Sequence, residues 1–273
     1  MIQLSASELW ENSRKSSKGN QLKWRQGDYW YKADYLGYEG LAEYVVSALL
    51  ARSSLGCSEY VCYEPETIIY NGQHLNGCRS QNFLKDGEQL ITLERLFFLK
   101  YGTSLYQTVF KIDSEEERLY FLTNQISQLT GLHNFGQYLC KLFEIDALFL
   151  NEDRHMHNIA VILNADGDYR LCPIFDNGAA VLSDTRLDYP LTGEILTLID
   201  SVRSKTISRD FSKQLDAAEN LYGEQLHFGF TNKDINDLCC RLRTETEYES
   251  SIIDRVDVIL RQQRRKYAYL FKD

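Results

Sequence analysis

The stretch from Asn151 to Gly178, NEDRHMHNIAVILNADGDYRLCPIFDNG, gathers acidic, basic and amide side chains around two apolar runs. The runs are NIAVIL at 158–163 and YRLCPI at 169–174, and Asp166-Gly167 lies between them. An Asp-Gly pair between two strand-like runs is a strong signal for a tight turn. The sequence therefore predicts a β-hairpin with polar residues at its open end.

Two oxygen-bearing side chains, Asn158 and Asp176, flank this predicted hairpin. Folding back at the Asp-Gly pair places them close to opposite each other, and cross-strand neighbours have Cβ atoms about 4.5–5.5 Å apart. An amide oxygen and a carboxylate at that separation are suited to Mg²⁺. Asp153 precedes Asn158 with the D-x-x-x-x-N spacing of kinase catalytic loops, in which the Asp meets the acceptor hydroxyl and the Asn holds metal. The stretch therefore predicts a magnesium site beside a carboxylate that orients a nucleophile.

The neighbouring residues of this stretch leave several interpretations open. Asp176 precedes Asn177-Gly178, which is the place of the second metal-binding Asp in kinases, with Asn where protein kinases usually carry Phe. Arg154 can brace the loop by pairing with a carboxylate, and His155 can donate a hydrogen bond or take part in the chemistry. His155 and His157 form an H-x-H pair, but the oxygen ligands beside them favour Mg²⁺ over a transition metal.

A lysine and a glutamate near the N-terminus predict a phosphate site. Lys32 lies in the strand-like run YWYKA, and Glu43 lies in an apolar helical run predicted over 40–53. A lysine in such a strand can simply face solvent. A carboxylate on a buried helix is costly unless it is paired, and a strand Lys paired with a Glu of the following helix is how kinases position the phosphate-binding Lys. The sequence therefore predicts a buried Lys32–Glu43 pair.

Two backbone segments are predicted to complete a nucleotide site. The polar loop that contains Ser17, Lys18, Gly19 and Asn20 can lay its N–H groups against phosphates, although alone it also fits an ordinary surface loop. The segment that begins at Phe83-Leu84 is predicted to cross between lobes and to offer backbone groups to adenine. Both segments are predicted to bind ATP.

The bulk composition limits the possible settings. The chain has 273 residues, of which 44% are hydrophobic, and a net charge of -9, which does not favour nucleic acid or an anionic membrane as a partner. Its seven Cys include no C-x-x-C pair, which favours a reduced, cytoplasmic protein, with export as an effector left open. No run has the length of a secretory signal or a membrane span.

The order of predicted elements indicates an α+β protein with two lobes. Several short strands and one main helix occupy residues 1–88, and mainly helical patterns occupy residues 89–273. Apolar side chains at helical spacing predict helices over 120–132 and from 135 to 149. The second of these helices leads directly into the loop that contains Asp153.

These motifs, in this order, resemble the HipA-like kinases, whose fold is shared with phosphatidylinositol 3- and 4-kinases. The pattern Asp153-Arg154-His155-x-x-Asn158 with Asp176 downstream carries the resemblance. Flanking motifs are similar to those of the small CtkA-type bacterial serine/threonine kinases. They are SSKGNQLKW, YKADYLGYEGLAE, RSQNFL, LDYPL and RVDVILRQQRRKYAYLF.

The resemblance implies a bilobal kinase fold, ATP with Mg²⁺, and phosphate transfer to Ser or Thr of a protein. It assigns Asp153 as the base or hydroxyl-orienting carboxylate, with Arg154 and His155 in the same catalytic motif. It assigns Asn158 and Asp176 as metal ligands. Lys32, paired with Glu43, and the Gly19 loop would hold the phosphates.

The resemblance also implies regulation and exposes departures. A Ser of the Gly19 loop can be autophosphorylated in HipA-type kinases, so Ser16 and Ser17 are candidate sites. The Gly-rich loop of eukaryotic kinases is absent, and the extra N-terminal region of the larger HipA toxins is not expected in a chain of this length. A lipid or small-molecule kinase of the same superfamily is one alternative. Another is a nucleotide-binding pseudokinase that works as an interaction module, with a small antitoxin-type partner.

Overall fold

The computed structural model describes residues 1–10 and 21–271. The chain divides into two compact units, each assembled from segments that are distant in sequence. The first unit comprises Met1–Asn82, Asp176–Ser201 and Phe228–Asp273, and the second comprises Phe83–Phe175 and Val202–His227. The predicted lobes, 1–88 and 89–273, stay a prediction.

The first unit contains a five-stranded sheet with the order β1-β4-β5-β3-β2. Its strands are β1 (Ile2–Gln3), β2 (Lys23–Gln26), β3 (Tyr29–Ala33), β4 (Tyr63–Tyr70) and β5 (Gln73–Gln81). Gly27 and the Asn71-Gly72 pair have positive φ, at 58°, 51° and 76°, which tight hairpin turns require. Trp24, Tyr31 and Ile68 form its buried core, because alternate residues of a strand face one side.

Four described helices belong to the first unit. They are α1 (Glu39–Leu50), α6 (Ile195–Ser201), α8 (Asn232–Glu245) and α9 (Ser250–Lys266). Helix α1 packs against β4 and β5 at a close approach: a Cβ on Gly40 would lie 2.5 Å from the backbone carbon of Gly77. This approach buries Glu43, which is 1% exposed, beneath the sheet.

The second unit combines a three-stranded sheet, ordered β6-β7-β8, with five described helices. Its strands are β6 (Gln89–Thr92), β7 (Ala160–Leu163) and β8 (Tyr169–Leu171), and its helices are α2 (Leu93–Tyr101), α3 (Leu105–Val109), α4 (Glu115–Thr130), α5 (Phe135–Phe149) and α7 (Phe211–Tyr222). Ser114 caps α4, and Gly131 ends it in the left-handed conformation. Both predicted helices are therefore present, with α4 beginning earlier than expected. Across the described residues, no helix is long and apolar enough to span a membrane.

The predicted hairpin is formed by β7 and β8. Asn164 closes the turn, because its side-chain oxygen accepts from the backbone N–H groups of Asp166 and Asp168, and Gly167 has a φ of 92°. The observed register pairs Val161 with Leu171 and ends there. Pro173 has no N–H to continue the ladder. The strands are therefore shorter than predicted, and the hairpin ladder does not extend to Asn158.

A buried residue of α5 carries a carboxyl group into the core. Glu144 is 0% exposed, and its Oε1 accepts from the backbone N–H of Gln225 at 2.9 Å. The Cys140 thiol lies 3.7 Å from the same oxygen. Burial raises the pKa of Glu144 from 4.5 to about 8. At neutral pH the folded chain therefore holds a proton that the unfolded chain releases.

This difference predicts a stability that depends on pH. Between about pH 4.5 and 8 the folded state binds more protons than the unfolded state, so the free energy of unfolding falls as pH rises. Glu144→Gln cannot ionise but keeps an acceptor for Gln225, and we expect a weaker fall. Urea unfolding across this range measures it, with the exposed Glu245→Gln as control. Parallel curves for wild type and Glu144→Gln would contradict the prediction.

Candidate active site

Lys32 on β3 is the centre of a charged cluster in the first unit. Its Nζ lies 2.5 Å from Glu43 Oε1 and 2.8 Å from Asp176 Oδ1, and it faces the Tyr63 ring at 5.2 Å. The predicted Lys32–Glu43 pair is therefore confirmed. The sequence did not predict that Asp176 contacts the same ammonium.

The two carboxylates determine the charge of Lys32. Burial alone would lower the pKa of Lys32, but Asp176 and Glu43 together outweigh it and raise the pKa well above its usual value. For Glu43, burial raises the pKa, and the nearby Lys32 opposes that rise. Lys32 therefore stays a cation at physiological pH, which is the state that binds a phosphate oxygen.

A second lysine, Lys23, lies near Lys32, and the sequence did not predict it as part of the site. It lies directly opposite Lys32 in the β2–β3 ladder, so both side chains are on the same face of the sheet. Asp176 raises the pKa of Lys23, but burial and the charge of Lys32 together lower it below its usual value. Like charges directly opposite each other are destabilising. An anionic ligand would relieve this repulsion.

The backbone holds Asp176 in an uncommon conformation. Its φ is 61°, which a residue with a side chain rarely adopts, and such conformations concentrate at functional sites. The next N–H, that of Asn177, donates to Glu43 Oε2 at 2.7 Å. Glu43 therefore holds both Lys32 and the chain at Asp176, and the Asp176 side chain remains 24% exposed.

The loop that contains Asp153 lies in the second unit and closes on itself. The backbone N–H of His155 donates to Asp153 O at 2.9 Å, and the N–H of Asn158 donates to His155 O at 2.8 Å. The side-chain Nδ2 of Asn158 also donates to Asp153 O, at 2.9 Å. The Asn158 amide thus uses its nitrogen within the loop and offers its oxygen as the group suited to a cation.

Arg154 braces this loop from inside the second unit, as the sequence left open. Its guanidinium, 1% exposed, lies 3.1 Å from Asp146 Oδ1 of α5. Its Nη1 donates to the carbonyls of Asn158 and Phe175, at 3.3 and 2.5 Å. Arg154 therefore fixes the backbone at Asn158 and at the residue before Asp176, while its own side chain is buried. The sequence analysis did not identify Asp146. A carboxylate within the apolar stripe of α5 would have indicated a buried residue that needs a cation as its partner.

We expect the Arg154–Asp146 pair to be essential for stability. Asp146→Asn leaves a buried guanidinium without its carboxylate, which costs about 3–5 kcal/mol. Chemical unfolding measures this loss, with Asp216→Asn on the exposed face of α7 as the matched control. A variant as stable as the control would show that Arg154 does not need the charge of Asp146.

A pocket of about 340 Å³ lies beside this loop in the second unit. Its walls include Glu94, Tyr106, His155, His157 and Lys205. His155 Nε2 is 3.8 Å from Asp153 Oδ2, and the His155 and His157 rings are 5.6 Å apart. In the described part of the chain, no three His, Cys, Asp or Glu side chains are grouped as for a metal.

Lys205 is a third residue of the site, after Lys23 and Asp146, that the sequence did not single out. Its Nζ lies 3.0 Å from Asp153 Oδ1. The two residues are far apart in the chain, and the segment around Lys205 carries no motif. Only the folded second unit shows that the candidate nucleophile-orienting carboxylate has a cation beside it.

The predicted adenine segment also lies in the second unit. Phe83 and Leu84 pack against the buried cluster of Ala160, Ile162 and Cys172, and the Phe83 ring is 6.0 Å from the Phe175 ring. The Phe83 carbonyl accepts from Arg170 Nη2 at 3.3 Å. The predicted phosphate loop, with its residues Ser17, Lys18, Gly19 and Asn20 and the candidate phosphorylation site Ser16, lies outside the described residues.

Comparison with known proteins identifies the fold. No protein-family model matches the chain, and no curated protein matches it. The solved structure of the Helicobacter pylori proinflammatory kinase CtkA matches with a TM-score of 0.60 and 15% identity, over 98% of this chain and 95% of CtkA. The chain has the fold of the HipA-like kinases. HipA of the Shewanella oneidensis MR-1 toxin–antitoxin system, in a complex with HipB and operator DNA, also matches the chain, with a TM-score of 0.50 and 14% identity, over 94% of this chain and 66% of HipA.

These matches confirm the resemblance and the α+β kinase-like fold class that the motifs implied. At such identities they show the fold alone, and function depends on the side chains. The chain spans about two thirds of the HipA chain that it matches. The predicted roles of its residues therefore have to be argued from their chemistry.

Proposed function

We propose that this chain is an ATP- and Mg²⁺-dependent serine/threonine protein kinase of the HipA-like type, with autophosphorylation as one of its reactions. The observation that carries the proposal is the cluster of Lys32, Glu43 and Asp176. A strand lysine held by a helix glutamate, with a partly exposed carboxylate in contact, is the arrangement that kinases use to bind nucleotide phosphates. The HipA-like fold also supports a kinase function.

The donor groups fit the nucleotide and the metal. Lys32 and Lys23 supply positive charge to phosphate oxygens, and Glu43 keeps Lys32 in place. Asp176 and Asn158 supply the hard oxygens that Mg²⁺ prefers. Bound Mg²⁺ neutralises charge on the phosphates of ATP. Phe83 and Leu84 offer apolar side chains of the kind on which adenine packs.

Asp153 acts on the acceptor. Its carboxylate orients the Ser or Thr hydroxyl and receives the hydroxyl proton as the oxygen bonds to the γ-phosphorus. In the same step the bond from that phosphorus to the β–γ bridging oxygen breaks, and ADP leaves. Because this transition state is loose, positioning and charge neutralisation supply most of the rate. Arg154 contributes by holding the loop, and His155 lies near the Asp153 carboxylate.

Transfer of labelled phosphate tests the proposal. The purified chain is incubated with γ-labelled ATP and Mg²⁺, with and without a generic protein substrate, and with chelator as the metal control. We expect label on the chain itself and on the substrate, and none after chelation. Absence of transfer with every divalent metal would overturn the proposal.

The alternatives predict different outcomes of related measurements. A nucleotide-binding pseudokinase that works as an interaction module, with a small antitoxin-type partner, is stabilised thermally by ATP but transfers no phosphate. A lipid or small-molecule kinase consumes ATP without labelling protein, and labels the lipid or metabolite instead. Measuring thermal stabilisation, ATP consumption and protein labelling together therefore separates the three functions.

A further inference from the structure

The segment that carries Lys205 is fixed on both sides of this lysine. Ser204 Oγ donates to the Gln214 side chain at 2.8 Å, and the Ile207 N–H donates to the same oxygen at 3.2 Å. Thr206 Oγ1 donates to the Arg154 carbonyl, inside the loop that contains Asp153. The backbone at position 205 is therefore tied both to α7 and to the Asp153 loop.

Lys205 is the exception in an otherwise buried run. Ser204 and Thr206 are 2% and 0% exposed, whereas the Lys205 side chain is 38% exposed. A free lysine on a surface loses much conformational entropy when it is held in one place. Here the fixed backbone directs the side chain to one partner, Asp153 Oδ1, at 3.0 Å. Lys205 also forms part of the pocket wall beside that partner.

We propose that Lys205 is a positioning residue for Asp153 in the phosphate-transfer reaction. This inference rests on the proposed function. By holding Oδ1, the Lys205 ammonium limits the rotation of the Asp153 carboxylate and so fixes the orientation in which it meets the acceptor hydroxyl. An ammonium has three N–H donors, and the contact with Asp153 uses one of them.

Steady-state phosphate transfer by the full chain tests this role. The comparison includes Lys205→Ala, Lys205→Arg, Asp153→Asn and the double variant Asp153→Asn/Lys205→Ala. Lys213→Ala, at an exposed position on α7, is the matched control. Both kcat and KM for ATP are measured, together with the thermal midpoint of each variant.

We expect Lys205→Ala to lower kcat by about 10²-fold, the scale of a misplaced catalytic group. KM for ATP and the thermal midpoint should stay close to wild type. Lys205→Arg should recover much of kcat because a guanidinium also pairs with a carboxylate. The double variant should be no slower than Asp153→Asn, because residues that act as a unit are not additive.

Several results would overturn the role of Lys205 alone. The first is a kcat of Lys205→Ala that equals or exceeds that of wild type. The second is a lowered kcat that comes with a lowered thermal midpoint and is not recovered in Lys205→Arg. A raised kcat would mean that Lys205 covers Asp153. In each of these cases wild type still transfers phosphate and Asp153→Asn transfers it far more slowly. Absence of transfer by wild type would instead overturn the proposed function, and this inference with it.

Discussion

Replacing Lys32 with methionine is expected to destabilise the fold by about 3–5 kcal/mol, because it leaves the buried Glu43 without its cation. The same change should lower phosphate transfer by about 10²–10³-fold, the usual cost of one charge-stabilising group. Lys32 contacts both Glu43 and Asp176, at 2.5 and 2.8 Å, so both carboxylates lose a partner. Urea unfolding and labelled transfer measure the two effects.

A double variant separates these effects. Glu43→Gln removes the buried charge and keeps an acceptor for the Asn177 N–H. We therefore expect Lys32→Met/Glu43→Gln to regain much of the lost stability but not the lost transfer. If the double variant regains transfer, Lys32 serves the fold alone. If Lys32→Met is as stable as wild type, the Lys32–Glu43 pair does not stabilise the fold.

Asp153→Asn is expected to lower phosphate transfer by about 10²–10⁴-fold, the usual contribution of a positioned base. Asparagine has nearly the same shape but neither accepts a proton nor carries a charge. The Asp153 side chain is 15% exposed and its backbone carbonyl, which holds Asn158, is unchanged. The thermal midpoint and ATP binding should therefore stay close to those of wild type.

The control for this experiment is Asp166→Asn, at an exposed position in the hairpin turn. It makes the same chemical change away from the loop and should transfer phosphate at the wild-type rate. Transfer at the wild-type rate by Asp153→Asn would contradict the assignment of Asp153. The acceptor would then have to be oriented by another group.

The part of the site that follows local rules could be predicted from the sequence. Asp166-Gly167 specifies a tight turn, so the β7–β8 hairpin follows from that pair and its apolar flanks. Glu43 on an apolar helix requires a cation, and Lys32 on the preceding strand was the available one. In both cases one local requirement, a tight turn or a partner for a buried charge, limits the possible structures to a few.

The part that depends on long-range packing could not be predicted. Lys205 reaches Asp153 only because Gln214 and the Arg154 carbonyl fix its segment. Asp176 reaches Lys32 within the first unit although the two are separated by 144 positions. No local periodicity or turn signal encodes such contacts.

The hairpin ladder ends earlier than predicted because of a local feature, Pro173. Pro173 was present in the predicted strand, and its missing N–H ends the pairing at Leu171. The prediction that Asn158 lies opposite Asp176 assumed that the β7–β8 ladder continues beyond the Val161–Leu171 pair. That Asn158 and Asp176 bind one metal is therefore a proposal based on their chemistry.

A crystal structure of the chain soaked with a non-hydrolysable ATP analogue and Mg²⁺ tests the central claim most directly. We predict that a phosphate oxygen lies within hydrogen-bonding distance of Lys32 Nζ. We also predict one metal ion bound by Asp176 and Asn158 oxygens at about 2.0–2.1 Å. Nucleotide bound away from Lys32, or Mg²⁺ held without Asp176, would contradict the account.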